Sequence, residues 1–281
     1  MTNLDQFESV FRAADKEPFE PETITIDSVA VVCDLDDDDR ASFLADIQGL
    51  IGHLPVDLPT QWHVVADFGS VADLVEQLKQ INPDLICTYR NLKIPATDFP
   101  YSLGVFVDVM TQATAHPIML LPHPKVGTSW PEKTRNVLAM TDHLAGDHHL
   151  VSFAARMTAS DGKLILAHLE DEGELERYLE TISRIPTIDT DDARIGLAHQ
   201  LLKEPTDFIG SCRDWLKTHR SDLEIDQEVS IGHRLADCRR LIAEHQVEMI
   251  VMNTKDDEQL AMHGLAYPLA VELRETPLML L

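Results

Sequence analysis

The sequence predicts an α/β protein in which two doubly wound parallel-sheet domains follow each other, the first of them reduced. The main observation is an internal repeat. Residues 84–122 and 248–281 each hold an apolar run, a polar stretch, a helical pattern and a second apolar run. The glycine before the helix and the proline before the last run are thirteen residues apart in both copies. Because a repeat of this kind marks a duplicated architecture, it decides the fold before any single element does.

The repeat extends upstream of both copies. Residues 28–34 and 135–142 are each an apolar strand that ends in an aspartate, and residues 62–69 and 225–232 are each a strand that ends at a glycine. Continuous apolar strands that alternate with helices are typical of a parallel sheet covered on both faces. The alternative is one large α/β domain whose parts resemble each other by chance.

The two copies differ in length. From the aspartate to the glycine is 35 residues in the first copy, Asp34 to Gly69, and 90 residues in the second, Asp142 to Gly232. The second copy therefore has room for an extra strand at 163–169 and for one or two long helices. We expect two five-stranded or near-five-stranded parallel sheets, of which the first is one strand poorer.

The predicted organisation has four parts: an N-terminal extension (1–26), a first, reduced domain (27–122), a linker (123–132) and a second domain (133–281). In the extension, Leu4, Phe7 and Phe11 recur at helical spacing, and prolines then break the helix. Either this helix docks on its own domain, which we favour, or it is a segment that binds a partner.

Several of these residues resemble the universal stress protein family. They are Thr141 and Asp142 after the first strand of the second copy, His168 at the end of the next strand, a glycine that ends the third, and the apolar run 248–252. The chain is similar to a tandem member, and the resemblance covers both domains but not the extension. It implies two adenine nucleotide alpha hydrolase-like domains, with an adenine nucleotide as the candidate cofactor.

Nucleotide-binding members of that family carry a glycine-rich loop after the fourth strand, with the pattern G-x-x-G, nine residues, then G-S or G-T. The glycines let the backbone close on phosphates at a helix N-terminus. The aspartate that ends the first strand faces the adenosine. This crevice lies at the carboxyl ends of the parallel strands, where open α/β sheets bind their ligands.

In the second copy this pattern is eroded. Asn253 stands at the first glycine, and the acidic run 255–258 stands near the second. Gly264 remains of the last pair, but Leu265 replaces the hydroxyl residue, and the loop is two residues short. The adjacent acids would repel a triphosphate, so ATP binding is not expected to be tight here.

The first copy has lost more of the pattern. Tyr89 replaces the first glycine and Leu92 the second, while Gly104 is kept in a loop that is two residues too long. Arg90 and Lys93 in this loop could hold an anion, but we interpret them as solvated loop charges. Binding of AMP or another adenosine ligand, which requires fewer contacts to phosphate, stays an alternative for either copy.

The resemblance thus implies these candidate cofactor-binding residues: Asp142, Thr141, His168, Asn253, Gly264, Asp34 and Gly104. The two aspartates are either binding groups or N-terminal caps of the helices that follow, and the residues alone do not decide between these roles.

Histidines form the other notable group. His143, His148 and His149 follow the first strand of the second copy, and His233 and His263 fall in loops at the same end of the sheet. Imidazoles beside carboxylates can bind zinc, but the spacing matches no established metal motif, so we expect none. The sequence has no P-loop, nucleophile elbow or His-Glu-x-x-His, so we expect no catalysis.

Composition excludes some partners. Acidic residues outnumber basic ones 48 to 23, which gives a formal charge of −25 and argues against nucleic acids and anionic membranes. The four cysteines have no C-x-x-C spacing and are expected to be reduced. No apolar run is long enough to span a membrane and no signal peptide is recognisable, so the expected location is the cytoplasm.

The last strands of the two copies, 117–121 and 277–281, are nearly pure apolar. An exposed apolar edge invites aggregation, so we expect the two strands to pair antiparallel as an intramolecular pseudo-dimer. Formation of a homodimer and binding of an unidentified protein partner stay as alternatives. The expected function is a non-enzymatic stress-response binding or signalling module with a degenerate nucleotide site. The alternatives are an ATP- or AMP-binding stress protein that uses its second domain, with slow hydrolysis, and a metal-dependent enzyme that uses the histidines.

Overall fold

The computed structural model describes residues 18–52, 54, 61–94, 101–124, 131, 133–141, 146–254 and 266–281. The strands are β1 (Ser28–Val32), β2 (Gln61–Val65), β3 (Leu85–Tyr89), β4 (Ile118–Leu121), β5 (Asn136–Thr141), β6 (Lys163–Asp171), β7 (Glu224–Gly232), β8 (Met249–Met252) and β9 (Leu278–Leu280). The helices are α1 (Asp37–Gly52), α2 (Val71–Ile81), α3 (Val105–Ala113), α4 (His148–Met157), α5 (Glu172–Ile182), α6 (Thr190–His219), α7 (Arg234–His245) and α8 (Ala266–Glu272).

The strands form one sheet in the order β2-β1-β3-β4-β9-β8-β5-β6-β7. Neighbours within the first half, β1 to β4, are parallel, and so are neighbours within the second half, β5 to β9. The predicted α/β class with parallel sheets is confirmed. The halves meet where β4 pairs antiparallel with β9, as predicted, and Met119 lies opposite Met279. All strands of one half therefore run opposite to those of the other, and their carboxyl ends lie at opposite edges of the sheet.

Four described strands make up the first half and five make up the second, as the spacing predicts. β2 lies beside β1, in the place that β6 takes beside β5. In the part of 40–60 that the structure describes, α1 is present and no strand is. The strand without a counterpart in the first half is therefore β7 at the sheet edge, and not the predicted one at 163–169. Between β6 and β7 the second half also has two helices, α5 and the 30-residue α6.

Two strand ends differ from the prediction. β6 continues to Asp171, so His168 lies inside the strand and does not end it, because the pairing with β7 extends that far. β2 ends at Val65, well before Gly69, since the pairing with β1 stops there. β7 does end at Gly232.

The halves share local features that fit the repeat. Asp84, just before β3, accepts bonds of 2.9 Å from two successive backbone N–H groups at the start of β1. Glu248, just before β8, accepts bonds of 2.5 and 3.2 Å from the corresponding pair at the start of β5. Upstream of each acid, Asn82 and Gln246 end α2 and α7 in the left-handed conformation, both with φ of 50°. Each acid thus ties two neighbouring strands at their amino ends.

The core follows the sheet. β3, β4, β8 and β9 are buried along their whole length. The four cysteines are free and buried, in agreement with the expectation that they are reduced. No helix among the described residues is long and apolar enough to cross a membrane.

Arg90 ties the halves together on the carboxyl side of β3. Only 5 % of this residue is exposed, and its guanidinium donates to the carbonyl oxygens of Ala270 and Leu273 at the end of α8, at 2.7 and 2.5 Å. The interpretation of Arg90 as a solvated loop charge is therefore wrong, because the antiparallel junction brings the end of α8 against this loop. Burial, helped by the nearby charge of Arg274, lowers the pKa of Arg90 to about 10.

The described part of the N-terminal extension, residues 18–26, has no helix or strand and runs over the second half before it enters β1. The predicted helix at 4–14 lies outside the described residues, as does most of the predicted linker at 123–132.

We expect Met279→Lys to separate the halves. Met279 is fully buried opposite Met119, so a lysine there would bury an unpaired charge and cost more than about 3 kcal/mol of unfolding free energy. Differential scanning calorimetry with light scattering should show a lower melting temperature and aggregation. Ile195→Lys is the control, because Ile195 is 70 % exposed. An unchanged melting temperature for Met279→Lys would show that this strand pair does not support the fold.

We expect Arg90→Leu to cost about 2–4 kcal/mol of unfolding free energy, because it leaves the buried carbonyl oxygens at the end of α8 without their donor. Urea denaturation measures the loss. Arg239→Leu is the matched control: Arg239 contacts Glu272 of the same helix but has a side chain that is 55 % exposed, so its loss should cost less than about 1 kcal/mol. Equal losses in the two variants would contradict the role given to Arg90.

Candidate functional site

Each half has a crevice where ligands of open α/β sheets bind. In the first half, β1 lies between β2 and β3, so the strand order reverses direction at β1. A crevice opens at this point, between the carboxyl ends of β1 and β3. In the second half the corresponding crevice lies between β5 and β8. We call these the first and the second crevice.

Tyr89 lies at the first crevice, at the end of β3. The Tyr89 hydroxyl donates to Asp34 Oδ1 and accepts from the Asp34 backbone N–H at 2.9 Å. The other carboxylate oxygen of Asp34 accepts from the backbone N–H of Lys93 at 2.8 Å. The Tyr89 ring is fully buried and packs edge-on against Phe43, with ring centroids 5.2 Å apart. The predicted binding group Asp34 is thus used inside the chain, and it is not the cap of α1.

Ionisation of Tyr89 is strongly disfavoured in this position. Burial raises the pKa of the Tyr89 hydroxyl, and the hydrogen bond that it donates to Asp34 raises it further. The hydroxyl therefore stays protonated and remains a donor to the carboxylate over the physiological range.

Gly104 supports the loop that follows Tyr89. It precedes α3 with φ of +88°, and a Cβ atom there would lie 3.0 Å from Asn91 Cα. The Asn91 backbone N–H donates to the Leu103 carbonyl at 2.8 Å. The glycine is therefore required by the close approach of two backbone segments. Lys93, interpreted from the sequence as a solvated charge, donates from Nζ to the Phe68 carbonyl.

Asn253 lies at the described part of the second crevice. Its Nδ2 donates to Asp147 Oδ2 at 2.5 Å, across the gap between β8 and the start of α4. Asp147 Oδ1 accepts from the Leu150 backbone N–H at 3.0 Å, so Asp147 caps α4. Burial raises the pKa of the Asp147 carboxyl, and the bonds from Leu150 and Asn253 oppose that rise. Next to Asn253, the backbone and hydroxyl of Thr254 donate to the Leu281 carbonyl at 2.9 and 2.7 Å.

Tyr89 and Asn253 occupy the same place in the repeat. Each stands at the position of the first glycine, and each donates a side-chain hydrogen bond to an aspartate beside the first strand of its half. The two acceptors are not equivalent, because Asp34 corresponds to Asp142 in the repeat, whereas Asp147 is the cap of α4. The likeness therefore concerns the donor positions.

The other predicted binding residues are only partly placed. Asp142 and Gly264 lie outside the described residues, and Thr141 ends β5. His168 on β6 is paired in register with Thr141, and its side chain is buried with Nε2 3.3 Å from Glu170 Oε2. The described contact of the His168 side chain is therefore with a carboxylate of its own strand.

The histidines diverge. His148 and His149 contact residues 20 and 22 of the N-terminal extension, and His233 Nε2 lies 3.6 Å from Glu172 Oε2. His143 and His263 lie outside the described residues. Within the described ranges, no group of three or more His, Cys, Asp or Glu side chains could hold a metal ion. The described geometry therefore gives no support to a histidine metal site.

Sequence reasoning missed the role of Asp147. An aspartate three residues before an apolar helical position is a recognisable cap signal, which here points to Leu150. The bond to Asn253 has no such signal, because it joins residues that are 106 positions apart in the chain.

The chain was compared with known proteins. No protein-family model matches the sequence, and no curated protein matches it either. A structure assigned to the universal stress proteins of Pseudomonas aeruginosa UCBPP-PA14 is similar, with a TM-score of 0.50, 13 % identity, and coverage of 91 % of this chain and 93 % of that one.

Two further structures are more distant. A universal stress protein from Archaeoglobus fulgidus DSM 4304 has a TM-score of 0.43, 13 % identity, and coverage of 90 % of this chain and 84 % of its own. A protein of unknown function from Pseudomonas aeruginosa PAO1 has a TM-score of 0.42, 15 % identity, and coverage of 90 % and 81 %. At such identities the likeness concerns the fold alone, and the fold of this chain is similar to that of the universal stress protein structure with a TM-score of 0.50.

Proposed function

We propose that this protein is a tandem universal stress protein that acts as a non-enzymatic binding or signalling module, with nucleotide sites that have degenerated. The observation that carries the proposal is the bond from Asn253 to Asp147, with its counterpart from Tyr89 to Asp34. In both crevices, the side chain that replaces a phosphate-binding glycine is held by the carboxylate beside it.

The chemistry of the first crevice supports this further. A nucleotide there would have to displace a buried tyrosine ring and break the bonds that Asp34 makes to Tyr89 and Lys93. Arg90, whose guanidinium could pair with a phosphate, donates to the end of α8 and is held there. The first half therefore serves the assembly of the fold.

We also propose that residues 27–122 and 133–281 are two domains joined by 123–132, and that they form an intramolecular pseudo-dimer. The antiparallel pair of β4 and β9 and the shared acids Asp84 and Glu248 support this division. The competing function is binding of ATP or AMP in the second crevice, for which Asn253 would have to release Asp147.

We expect the wild-type protein to bind Mg-ATP with a Kd above about 1 μM, a value that corresponds to a binding free energy of roughly 8 kcal/mol in magnitude. Isothermal titration calorimetry with Mg-ATP and with AMP measures this, and native mass spectrometry of the purified protein detects any nucleotide that is retained. Asn253→Gly, which frees Asp147 and restores the first glycine, should raise affinity if the pocket is otherwise intact. A Kd near or below about 1 μM for the wild type would favour the nucleotide-binding function instead.

We expect Asn253→Ala to destabilise the fold in a pH-dependent way. When the pKa of a carboxyl is higher in the folded than in the unfolded state, the group stabilises the fold at pH values below its unfolded pKa. This contribution is lost as the pH rises through the folded pKa. The pKa of Asp147 is raised by burial, and the Asn253 amide favours the ionised form, so removing the amide raises the pKa further. The loss should be about 1.5–3 kcal/mol where Asp147 is ionised and should shrink as the pH falls below its pKa.

Urea denaturation at neutral pH, and at the lowest pH at which the wild type stays folded, tests this. Asn136→Ala is the matched control. The Asn136 side-chain amide donates to the Gln246 carbonyl on the surface at 3.2 Å, so the bond that is lost has a neutral acceptor. A loss for Asn253→Ala that is the same at both pH values would contradict the bond to an ionised Asp147.

A further inference from the structure

Residues 18–26, which we call the N-terminal strap, lie in a groove between α4 and α6. Phe19, Ile24 and Ile26 of the strap are buried, while its other residues are exposed. The strap belongs to the chain before β1, yet its first half packs on the second half of the sheet. The groove is therefore a surface of the second half that is covered by a segment from outside it.

The groove binds the backbone of the strap. The N–H of Phe19 donates to Ser211 Oγ at 2.7 Å, and the N–H of Glu22 donates to Ser152 Oγ at 2.9 Å. Between them, the N–H of Glu20 donates to His148 Nδ1 at 3.2 Å. Contacts of groove side chains with the main chain of a bound segment do not depend on its sequence, which is how peptide-binding domains obtain much of their affinity.

One side chain anchors the strap. The Phe19 residue is 7 % exposed and its ring lies among three aromatic side chains of the groove, with centroids 5.6 Å from Trp215, 5.9 Å from His148 and 6.3 Å from Phe208. An aromatic anchor in an aromatic-lined pocket is the usual centre of binding energy at a protein interface.

The groove also selects charge. Glu22 Oε2 lies 2.6 Å from His149 Nδ1. Arg156 and Arg220 line a cavity of about 310 Å³ beside the strap, between Glu22 and Trp215. Arg220 is itself paired with Asp222 at 2.9 Å, and Asp207 and Asp214 line the other end of the groove. The preference for an acidic residue therefore lies at the Glu22 position, where His149 makes the contact.

The groove is larger than the strap fills. The cavity of about 310 Å³ adjoins Phe19 and Glu22, and another of about 510 Å³ adjoins Pro18 and Ser211 at the other end. The two cavities give room for side chains that the strap itself does not carry.

We propose that the groove between α4 and α6 is a docking site for a non-helical segment of a partner protein, in which an aromatic residue is followed by acidic residues, and that the strap occupies this site in cis. The strap is tethered beside the groove, because Asp84 holds the backbone at the start of β1. Such tethering gives an effective concentration in the millimolar range, so a partner segment competes with the strap. The proposal does not depend on the crevices, so it can fail or hold whether or not a nucleotide binds.

A second copy of the chain is a less suitable occupant. Its strap is tied to its own β1 in the same way, and two chains that each carry a charge of −25 repel one another. Neither obstacle applies to a partner protein that is not strongly acidic overall and that carries a free segment with an aromatic residue followed by acidic residues.

The test uses the full chain and a fluorescent peptide with the sequence of residues 18–26, Pro-Phe-Glu-Pro-Glu-Thr-Ile-Thr-Ile. Fluorescence polarisation measures binding to the wild type and to Phe19→Ala, whose own strap has lost its anchor. We expect Phe19→Ala to bind the peptide about tenfold more tightly than the wild type, because the cis competitor is weakened. Thr23→Ala, at an exposed strap position, should behave as the wild type.

Substitutions in the groove show where the peptide binds. Adding Ser152→Ala and Ser211→Ala to the Phe19→Ala chain should lower the affinity about tenfold, because two backbone acceptors are lost. If Phe19→Ala does not fold, Glu22→Ala replaces it, since this change removes the contact with His149 and keeps the anchor in place. For that variant we expect a smaller gain in the same direction.

Three results would overturn the proposal. The first is equal affinity of the wild type and the strap variants for the peptide. The second is a peptide affinity that the serine substitutions leave unchanged. The third is a doubled mass of the wild type in light scattering that Phe19→Ala abolishes, with no uptake of the peptide, which would assign the groove to the strap of a second copy.

Discussion

The antiparallel pairing of β4 with β9 is the contact on which the rest of the structure depends. Both strands are buried along their length and contain only apolar side chains, so neither could stay at an open sheet edge without exposing a surface prone to aggregation. Pairing them removes both edges and makes one sheet of the two halves. It also sets the direction of everything else, since it turns the carboxyl ends of the two halves to opposite edges of the sheet.

That geometry explains the burial of Arg90. The loop after β3 lies at the carboxyl edge of the first half, which is the amino edge of the second, where α8 ends before β9. A helix end leaves carbonyl oxygens without partners, and a buried end must find donors elsewhere. Arg90 supplies them to Ala270 and Leu273. The loop after β3 therefore joins the halves.

In both crevices a side chain after the strand next to the junction donates to an aspartate. Tyr89 reaches Asp34 with a hydroxyl, and Asn253 reaches Asp147 with an amide. In both cases the donor side chain satisfies the carboxylate within the chain. A buried carboxylate is costly unless it is hydrogen-bonded, so both bonds stabilise the fold.

The sequence by itself determined the repeat, the α/β class, the poorer first half and the pairing of the last strands, because these rest on apolar runs and on their spacing. Its local signals also place most helices and the end of β7 at Gly232. It could not assign Arg90, Asp147 or the histidines, whose partners are far away in the chain. His148 and His149 suggested a metal site by adjacency, yet their described contacts are to residues 20 and 22. Only the tertiary structure decided these roles, since a side chain's hydrogen-bond partner depends on which elements the sheet brings together, and spacing along the chain does not carry that information.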